Sequence, residues 1–417
     1  MRRRAPAPKI VASSLMALTA LTCPPPVRRP DRTTRPDYDV LNDAIDLYNE
    51  GQALPSLAKT FEHLFPDHEV PDLTKETFTF GQGSSKVSVR VADDTLHVVV
   101  PMVKLTDNSL TTAALRFLLQ RISGSGQLYQ PVLHGDEVVL EFRDKITRLH
   151  PHKVREVLRQ MPFEADANDD WMVTEFQCEP LSRQPIEPLT DDEFARAHAT
   201  WLAHWNECEE LVTESQRKRS MFFLNEITAY AVHHIRQSLP LTGYWWSRIS
   251  AAADTFNDTG FDPNLRETTM AKCCREMRAV EADSLRDSLG HATYAISPRA
   301  DGTPKVLSSN LGPGDYLDTI IRLFNGGRYM DAAVALTGTY TFMLARFSWP
   351  EDIENLLLEG LAIANGTPWR ESASKLLDHG RRLLAVAEGE DEGEDGDEDE
   401  GDEGEDAAED GDEGEVS

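Results

Sequence analysis

The stretch from Val87 to Val103, VSVRVADDTLHVVVPMV, contains the pattern that decides the fold. Its first half alternates valine with polar or small residues, which is the two-residue period of a strand with one buried face. Asp93 and Asp94 then predict a turn, because short polar residues tolerate the backbone angles of tight turns. The second half, 95–103, is almost entirely apolar, so we expect a central strand that is covered on both faces.

Helices and further strands are predicted on both sides of this pair. The expected elements are a helix over 38–65 with a break at 51–55, a strand at 78–80, a helix over 110–122, strands over 128–133 and 137–142, and a helix from about 152 that ends near 160 or continues to 178. Gly135 suits the tight turn between the last two strands. The order is therefore α-β-β-β-α-β-β-α.

Four segments together carry a resemblance to a known fold. They are VSVRVADDTLHVVVPMV, LTTAALRFLLQRI (110–122), LYQPVLHGDEVVLEF (128–142) and LHPHKVREVLRQM (149–161). With this element order, residues 38–178 resemble the type III secretion chaperone-like fold and, within it, the YbjN-like families. The resemblance covers about a third of the chain. It implies a small domain at 38–180 that forms homodimers and binds other polypeptides, with no catalytic residues to carry over.

The second half of the chain has a helical pattern. Residues 181–191 contain Pro185 and Pro188 and predict a linker that ends at a helix N-cap. The expected helices span 192–214, 217–239, 243–256, 264–290, 315–325, 328–347, 351–365 and 369–387, and a loop is expected over 297–314. The predicted fold class is therefore α+β, with the chaperone-like α/β domain followed by an all-α helical domain at 192–387.

Two segments of the helical domain align at a spacing of 40 residues: NGGRYMDAAVAL (325–336) and NGTPWRESASKL (365–376). In both, Asn-Gly precedes an aromatic residue and then alanine and leucine. The pattern resembles the turn and second helix of a tetratricopeptide-like hairpin within 315–387. The alternative interpretation is that two ordinary helix-turn-helix units share the same turn chemistry.

The two ends of the chain have strongly biased compositions. Residues 388–417 contain 19 Asp or Glu and no Lys or Arg, which predicts a disordered acidic tail. Such a tail can keep the protein in solution, bind basic protein surfaces, or attract divalent cations with low affinity. Residues 1–37 are rich in Arg and Pro and are expected to be a disordered leader.

The leader also has the parts of an export signal, and this leaves localisation open. Arginines at 2–4 precede an apolar run from Ile10 to Thr22 that ends at Cys23. Residues 1–23 could therefore direct export or carry a lipid anchor, although bulky Leu21 does not suit a lipoprotein site. The five cysteines form no regular framework, which favours a reducing compartment and hence the cytoplasm.

Charge and hydropathy exclude two classes of partner. The formal net charge of −29 is incompatible with binding nucleic acid through a basic surface along the whole chain. No uninterrupted apolar stretch approaches the roughly 18 residues that a membrane span requires. We therefore expect neither nucleic acid nor a membrane span.

Candidate site residues lie in both domains. Val99 and Val103, on the apolar strand, are candidate partner-binding residues, and so are Trp201, Trp205, Trp245 and Trp246 in the helical domain, because Trp often anchors interfaces. Core packing is the alternative interpretation of the tryptophans. His204 and Cys208 are four apart on one helix face, as a metal pair would be, but no second pair has matching spacing. We expect no metal and no cofactor.

Three hypotheses follow from the sequence. The first is a non-enzymatic protein-binding module, an adaptor or chaperone-like protein, because the chain contains none of the familiar catalytic motifs. The second is an enzyme whose site is assembled in the helical domain from the His, Trp and Cys residues between 198 and 274. The third is an exported or lipid-anchored factor.

Overall fold

The structure is a computed structural model, which describes residues 18–29, 37–122, 127–258, 260 and 262–391. The side chains at 254, 255, 257 and 388–391 are not among the described atoms. Within these ranges an antiparallel sheet with its helices is followed by a helical domain, so the predicted α+β class is confirmed. Residues 1–17 and 30–36 of the expected leader and 392–417 of the expected tail lie outside the described residues.

The first domain contains four helices and the main sheet. Its elements are α1 (Tyr38–Asn49), α2 (Ala53–Leu64), β1 (Phe78–Gln82), β2 (Ser85–Ala92), β3 (Thr95–Lys104), α3 (Thr111–Ile122), β4 (Gln130–His134), β5 (Glu137–Lys145), a 3₁₀ turn (Ile146–Arg148), α4 (Pro151–Phe176) and β6 (Glu179–Pro180). The predicted break in the first helix is present at Gly51, whose φ of 79° a helix cannot contain. The last helix takes the longer of its two predicted extents.

The sheet has the strand order β1-β2-β3-β5-β4, with all neighbours antiparallel, and β6 pairs with β3 away from this path. Register places Val89 opposite Val98, and Val98 in turn opposite Phe142. These three side chains therefore share one face of the sheet. That face packs against α2, α3 and α4 and forms the core of the domain.

No helix of the described residues packs on the opposite face of the sheet. Three polar residues pair across this face: Arg90 and Arg143 are exposed, and His97 is half-buried. Val99 lies on the same face and is half-buried. The expectation that β3 is covered on both faces is therefore wrong for the helix-free face. Helices α2, α3 and α4 all pack on the face that carries Val89, Val98 and Phe142.

The helical domain is built from ten helices and short paired segments. These are β7 (Glu187–Pro188), α5 (Asp191–Lys218), α6 (Met221–Ser238), α7 (Gly243–Asn257), α8 (Pro263–Arg278), α9 (Ala282–Arg286), β8 (Gly290–His291), β9 (Ala300–Asp301), α10 (Pro304–Leu311), α11 (Asp315–Asn325), α12 (Tyr329–Arg346), β10 (Phe347–Ser348), α13 (Glu351–Ala364) and α14 (Trp369–Asp391). At the start of α5, Thr190 and Glu193 form a reciprocal capping box, which fixes the N-cap where the sequence predicted it.

Several helix boundaries differ from prediction. Helix α5 continues four residues past the predicted end at 214, and α6 begins at Met221 instead of at 217. The expected helix over 264–290 ends at Arg278 and is followed by the short α9. The expected loop at 297–314 contains α10, which begins because the Thr303 side chain accepts a hydrogen bond from Val306 N and Pro304 occupies the first turn. Helix α14 extends four residues past the predicted end at 387.

The helical domain covers one edge of the sheet. Gly83 N in the β1–β2 turn donates to Thr293 O at 3.0 Å, and Ala295 N donates to Gly81 O at 3.3 Å. The Gln82 side chain makes two hydrogen bonds with the main chain of Ile296, at 2.6 and 3.0 Å. The β1 edge is therefore occupied, which leaves the β4 edge at the other side of the sheet.

Residues 18–29, which the sequence placed in a disordered leader, instead pack on the helical domain. Leu21, Cys23 and Val27 are buried in its core, with 2%, 2% and 9% of their surfaces exposed. Leu21 forms a parallel β-bridge with Asn365. Local composition suggested disorder here because the contacts that order this segment come from residues more than 150 positions away.

Candidate functional site

Strand β4 is the unpaired edge of the main sheet. It pairs with β5 from Gln130–Glu141 to His134–Glu137, and no other strand among the described residues pairs with it. Alternate residues of an edge strand direct their N–H and C=O groups away from the sheet, where another strand can bind them. Pro131 in the middle of β4 is typical of an edge position, since proline cannot donate to a ladder.

Three exposed leucines surround this edge. Leu133, within β4, is 48% exposed, and Leu128, two residues before β4, is 41% exposed. Leu119 is 56% exposed on α3, the helix that packs beside β4. We call these leucines together with β4 the sheet-edge surface. Main-chain donors and acceptors beside exposed leucines are the features that an added polypeptide strand uses.

A buried carboxylate lies next to the sheet-edge surface on the helix-free face. Glu141 is only 6% exposed, and its two oxygens contact Arg143 at 2.7 Å and His134 at 2.5 Å. These side chains and residues 127–130 line a shallow cavity of about 420 Å³. Arg143 pairs with the carboxylate and the His134 ring contacts it, so the cavity adds a polar rim to the apolar edge.

The structure separates the two valines that the sequence proposed for partner binding. Val99 lies on the helix-free face and keeps part of its surface exposed. Val103 is 0% exposed and lies in the core beneath the helices. A β-bulge between Pro101 and Val103 shifts the register, which places Val103 on the buried face. Val103 therefore has no surface for a partner.

Trp201 and Trp205 form the core of the helical domain. They are 0% and 1% exposed, and their rings meet edge to face with centroids 5.6 Å apart. Trp201 Nε1 donates to Met277 O at 2.7 Å. Their role as exposed anchors is contradicted by this burial, because the interior of a helical domain of this size needs large apolar side chains.

Trp245 and Trp246 are half-buried, and Trp246 packs against the first domain. The Trp246 ring meets Phe163 of α4 edge to face and lies 3.9 Å from the Arg236 guanidinium. Trp245 Nε1 donates to Ser284 O at 3.2 Å. These contacts explain the partial burial of both tryptophan side chains by packing within this chain.

His204 and Cys208 are brought together, but deep inside the helical domain. His204 Nε2 lies 2.8 Å from Ala231 O and 3.4 Å from Cys208 Sγ, while its Nδ1 lies 3.0 Å from His234 Nδ1. Burial lowers the pKa of His204 to about 4, so its ring is neutral at pH 7. Among the described residues, no group of three or more His, Cys, Asp or Glu has the arrangement of a metal site.

A cleft in the helical domain is lined by arginines over an apolar floor. It has a volume of about 150 Å³, room for about five waters. Arg29, Arg236 and Arg299 contribute charge, and each bonds within the chain: to Asn355 Oδ1 at 3.0 Å, to Ser250 Oγ at 2.8 Å and to Leu344 O at 3.3 Å. These bonds give the arginines a structural role at the C-terminal ends of α6 and α12.

Local sequence patterns do not identify the sheet-edge surface. Leu119, Leu128 and Leu133 belong to segments that predict buried faces, and only the proline in β4 could have indicated an edge strand. Which strand lies at the edge depends on the strand order. That order places β5 between β3 and β4 and is not visible in local patterns.

Comparison with known proteins adds no assignment. No protein-family model matches the chain, and none of the curated proteins matches its sequence. Among the helices of the described residues, none is both long and apolar enough to cross a membrane.

Proposed function

We propose that this chain is a non-enzymatic polypeptide-binding protein, an adaptor or chaperone-like module, that receives an extended segment at the sheet-edge surface. The observation that carries the proposal is the unpaired β4 strand with exposed leucines at 119, 128 and 133 beside it. The resemblance of residues 38–178 to the YbjN-like and type III secretion chaperone-like proteins supports the same function. The bound segment belongs to another protein or to a second copy of this chain.

The two features contribute differently to binding. Main-chain pairing along β4 gives an interaction that depends little on the partner's sequence, while burial of the leucines selects apolar side chains. Fully burying an exposed leucine side chain contributes ~2 kcal/mol. Since these leucines are already about half-buried, we assign roughly 1 kcal/mol to each and expect moderate affinity, in keeping with an exchangeable partner.

The test compares three full-length proteins as bait: the wild type, Leu133→Lys and Leu265→Lys. Leu265 is the matched control, because it is 51% exposed on α8 of the helical domain, away from the sheet. We expect the wild type and the control to retain the same near-stoichiometric polypeptide or the same dimer in sedimentation, and Leu133→Lys to lose it at least tenfold. No stoichiometric partner and no dimer, or equal retention by all three proteins, would refute the proposal.

The residues that suggested an enzyme do not support that alternative. His204, Cys208 and the neighbouring tryptophans lie in the core, where no substrate reaches them. We also favour the cytoplasm over export. Cys23, which a lipid anchor would modify, is buried in the helical domain, and all five cysteines are free. The intact mass of the protein purified from its native cell tests this point, since cleavage before Cys23 would contradict it.

A further inference from the structure

Residues 18–29, LTALTCPPPVRR, lie in an extended conformation across the helical domain, and we call this stretch the docked segment. Its first part is fixed at the turn between α13 and α14. Leu21 O accepts a hydrogen bond from Gly366 N at 2.8 Å, and Leu18 O accepts one from Trp369 Nε1 at 3.0 Å. The domain thus binds main-chain carbonyl groups of the segment.

The N–H groups of the docked segment are also bound by the domain. Thr22 N donates to Glu207 Oε1 and Cys23 N donates to Asn365 Oδ1, both at 2.9 Å. Further along, Val27 N donates to Ser238 O at 2.9 Å. Five hydrogen bonds therefore involve the segment's main chain. Any extended peptide carries the same groups.

Side chains of the docked segment add a simple pattern. Leu21 and Cys23 are buried at alternate positions while Thr22 is exposed, as expected for an extended strand. Three prolines follow, and Val27 fills a third apolar position. Prolines hold such a stretch extended at little entropic cost.

An acidic site receives the arginine that ends the pattern. Arg28 contacts Glu187 at 3.2 Å and Glu193 at 3.4 Å. Glu187 belongs to β7, and Glu193 lies in the first turn of α5. The groove therefore combines main-chain recognition, three apolar positions and a negatively charged end. The docked segment shows which peptide chemistry fits it.

We propose that this groove is a peptide-recognition site, which the chain's own residues 18–29 fill, and that it accepts in exchange an extended segment of another polypeptide. The partner has two apolar side chains at alternate positions, a short proline run, an apolar residue and then arginine. This site lies on the helical domain and is separate from the sheet-edge surface, so it stands or falls independently of the function proposed above.

The first experiment measures binding of a fluorescently labelled peptide of residues 18–29, with alanine at the cysteine position, to the full chain. A tethered competitor acts at an effective concentration in the millimolar range, so the wild type should bind the peptide weakly. The variant Leu21→Asp weakens the chain's own segment and leaves the groove intact. We expect it to bind the peptide at least tenfold more tightly, and a peptide that itself carries Leu21→Asp to bind neither protein.

Two further measurements complete the test: peptide binding after a change in the groove, and the rate at which Cys23 is alkylated. Adding Asn365→Ala to the Leu21→Asp protein removes the acceptor for Cys23 N and should weaken peptide binding about tenfold. In the wild-type protein, excess peptide should speed alkylation of Cys23 at least tenfold while Cys208, buried in the core, stays protected. The alkylation assay needs no variant, so it decides even if Leu21→Asp fails to fold.

Two outcomes would overturn the proposal. The first is no saturable binding up to about 1 mM peptide, with Cys23 alkylation unchanged. The second is that Cys23 protection rises with protein concentration together with dimers in sedimentation. That result would assign the groove to the segment of a second copy.

Discussion

Glu207 is a carboxyl group enclosed between the docked segment and α6, and its ionisation gives the most quantitative prediction. It is 4% exposed, and its oxygens accept hydrogen bonds from Thr22 N and Tyr230 OH, both at 2.9 Å. Burial raises its pKa from the ordinary 4.5 to about 8, against the smaller opposing effect of these two hydrogen bonds. The folded chain therefore keeps Glu207 protonated at neutral pH.

The free energy follows from the two pKa values. Below pH 4.5 both the folded and the unfolded chain hold this proton, and Glu207 costs nothing. As the pH rises from 4.5 towards 8, only the unfolded chain loses the proton, so the folded state is progressively destabilised. Above pH 8 the cost is constant. At about 1.4 kcal/mol for each pH unit, it reaches roughly 5 kcal/mol.

The variant Glu207→Gln should remove this cost, because glutamine has nearly the shape of the protonated acid and does not ionise. We expect its free energy of unfolding to match that of the wild type at pH 4.5 and to exceed it by roughly 3–5 kcal/mol at pH 8.5. Urea denaturation followed by tryptophan fluorescence at several pH values measures the difference. Glu210→Gln, at a half-exposed position on the same helix, is the control. The Glu210 charge is the smallest of the causes that shift the Glu207 pKa, so this variant should change the slope little.

The test depends on how the difference in free energy of unfolding between Glu207→Gln and the wild type changes with pH. A gap between Glu207→Gln and the wild type that stays constant from pH 4.5 to 8.5 would refute the argument, since it would reflect packing alone. The argument would also be refuted if the free energy of unfolding of the wild type rose relative to that of the variant as the pH increased. If Glu210→Gln shows the same slope, the effect is not specific to the buried carboxyl.

Three other predictions concern stability. Gly360→Ala should cost about 1–3 kcal/mol in thermal or urea unfolding, because its Cβ would lie 2.2 Å from the Tyr340 ring, whereas Gly380→Ala, with no atom nearer than 3.7 Å, should be tolerated. Asp331→Ala should destabilise the fold by ~3 kcal/mol, since it leaves the ammonium of Lys218 without its fully buried partner; an unchanged urea midpoint would contradict this. All five thiols should react with a colorimetric reagent only on unfolding, and a fast native phase would contradict their burial.

The sequence predicted the elements of the first domain well because their signals are local. Alternating valines mark β2, and the aspartates that follow mark its turn, where both take positive φ of 49° and 54°. Burial of β3 on the helix-free face was mispredicted, because Val99 is apolar whether or not anything covers it. Helix α10 was missed because its cap, Thr303, lies in a stretch dominated by Gly and Pro.

The candidate sites depend on contacts that no local pattern encodes. The sheet-edge surface exists because β5 inserts between β3 and β4, which makes β4 the outer strand. The ordered conformation of residues 18–29 depends on contacts with Asn365 and Trp369. In the sequence these two residues are notable only as members of the faint repeat. In the structure, Asn365 and Gly366 form the turn before α14, while the corresponding positive φ in the first copy is at Gly327 rather than Gly326. The two turns are therefore not equivalent.

The dependence of the docked segment on residue 365 has a consequence for biosynthesis. Cys23 and Asn365 are 342 residues apart, so the ribosome makes the segment long before it makes its binding site. At about 5–20 residues per second, this interval lasts roughly 17–70 s. The first domain can fold during that time. Leu21 and Val27 meanwhile stay accessible to any factor that binds the nascent chain. Folding of the helical domain is complete only when the last two helices have left the exit tunnel.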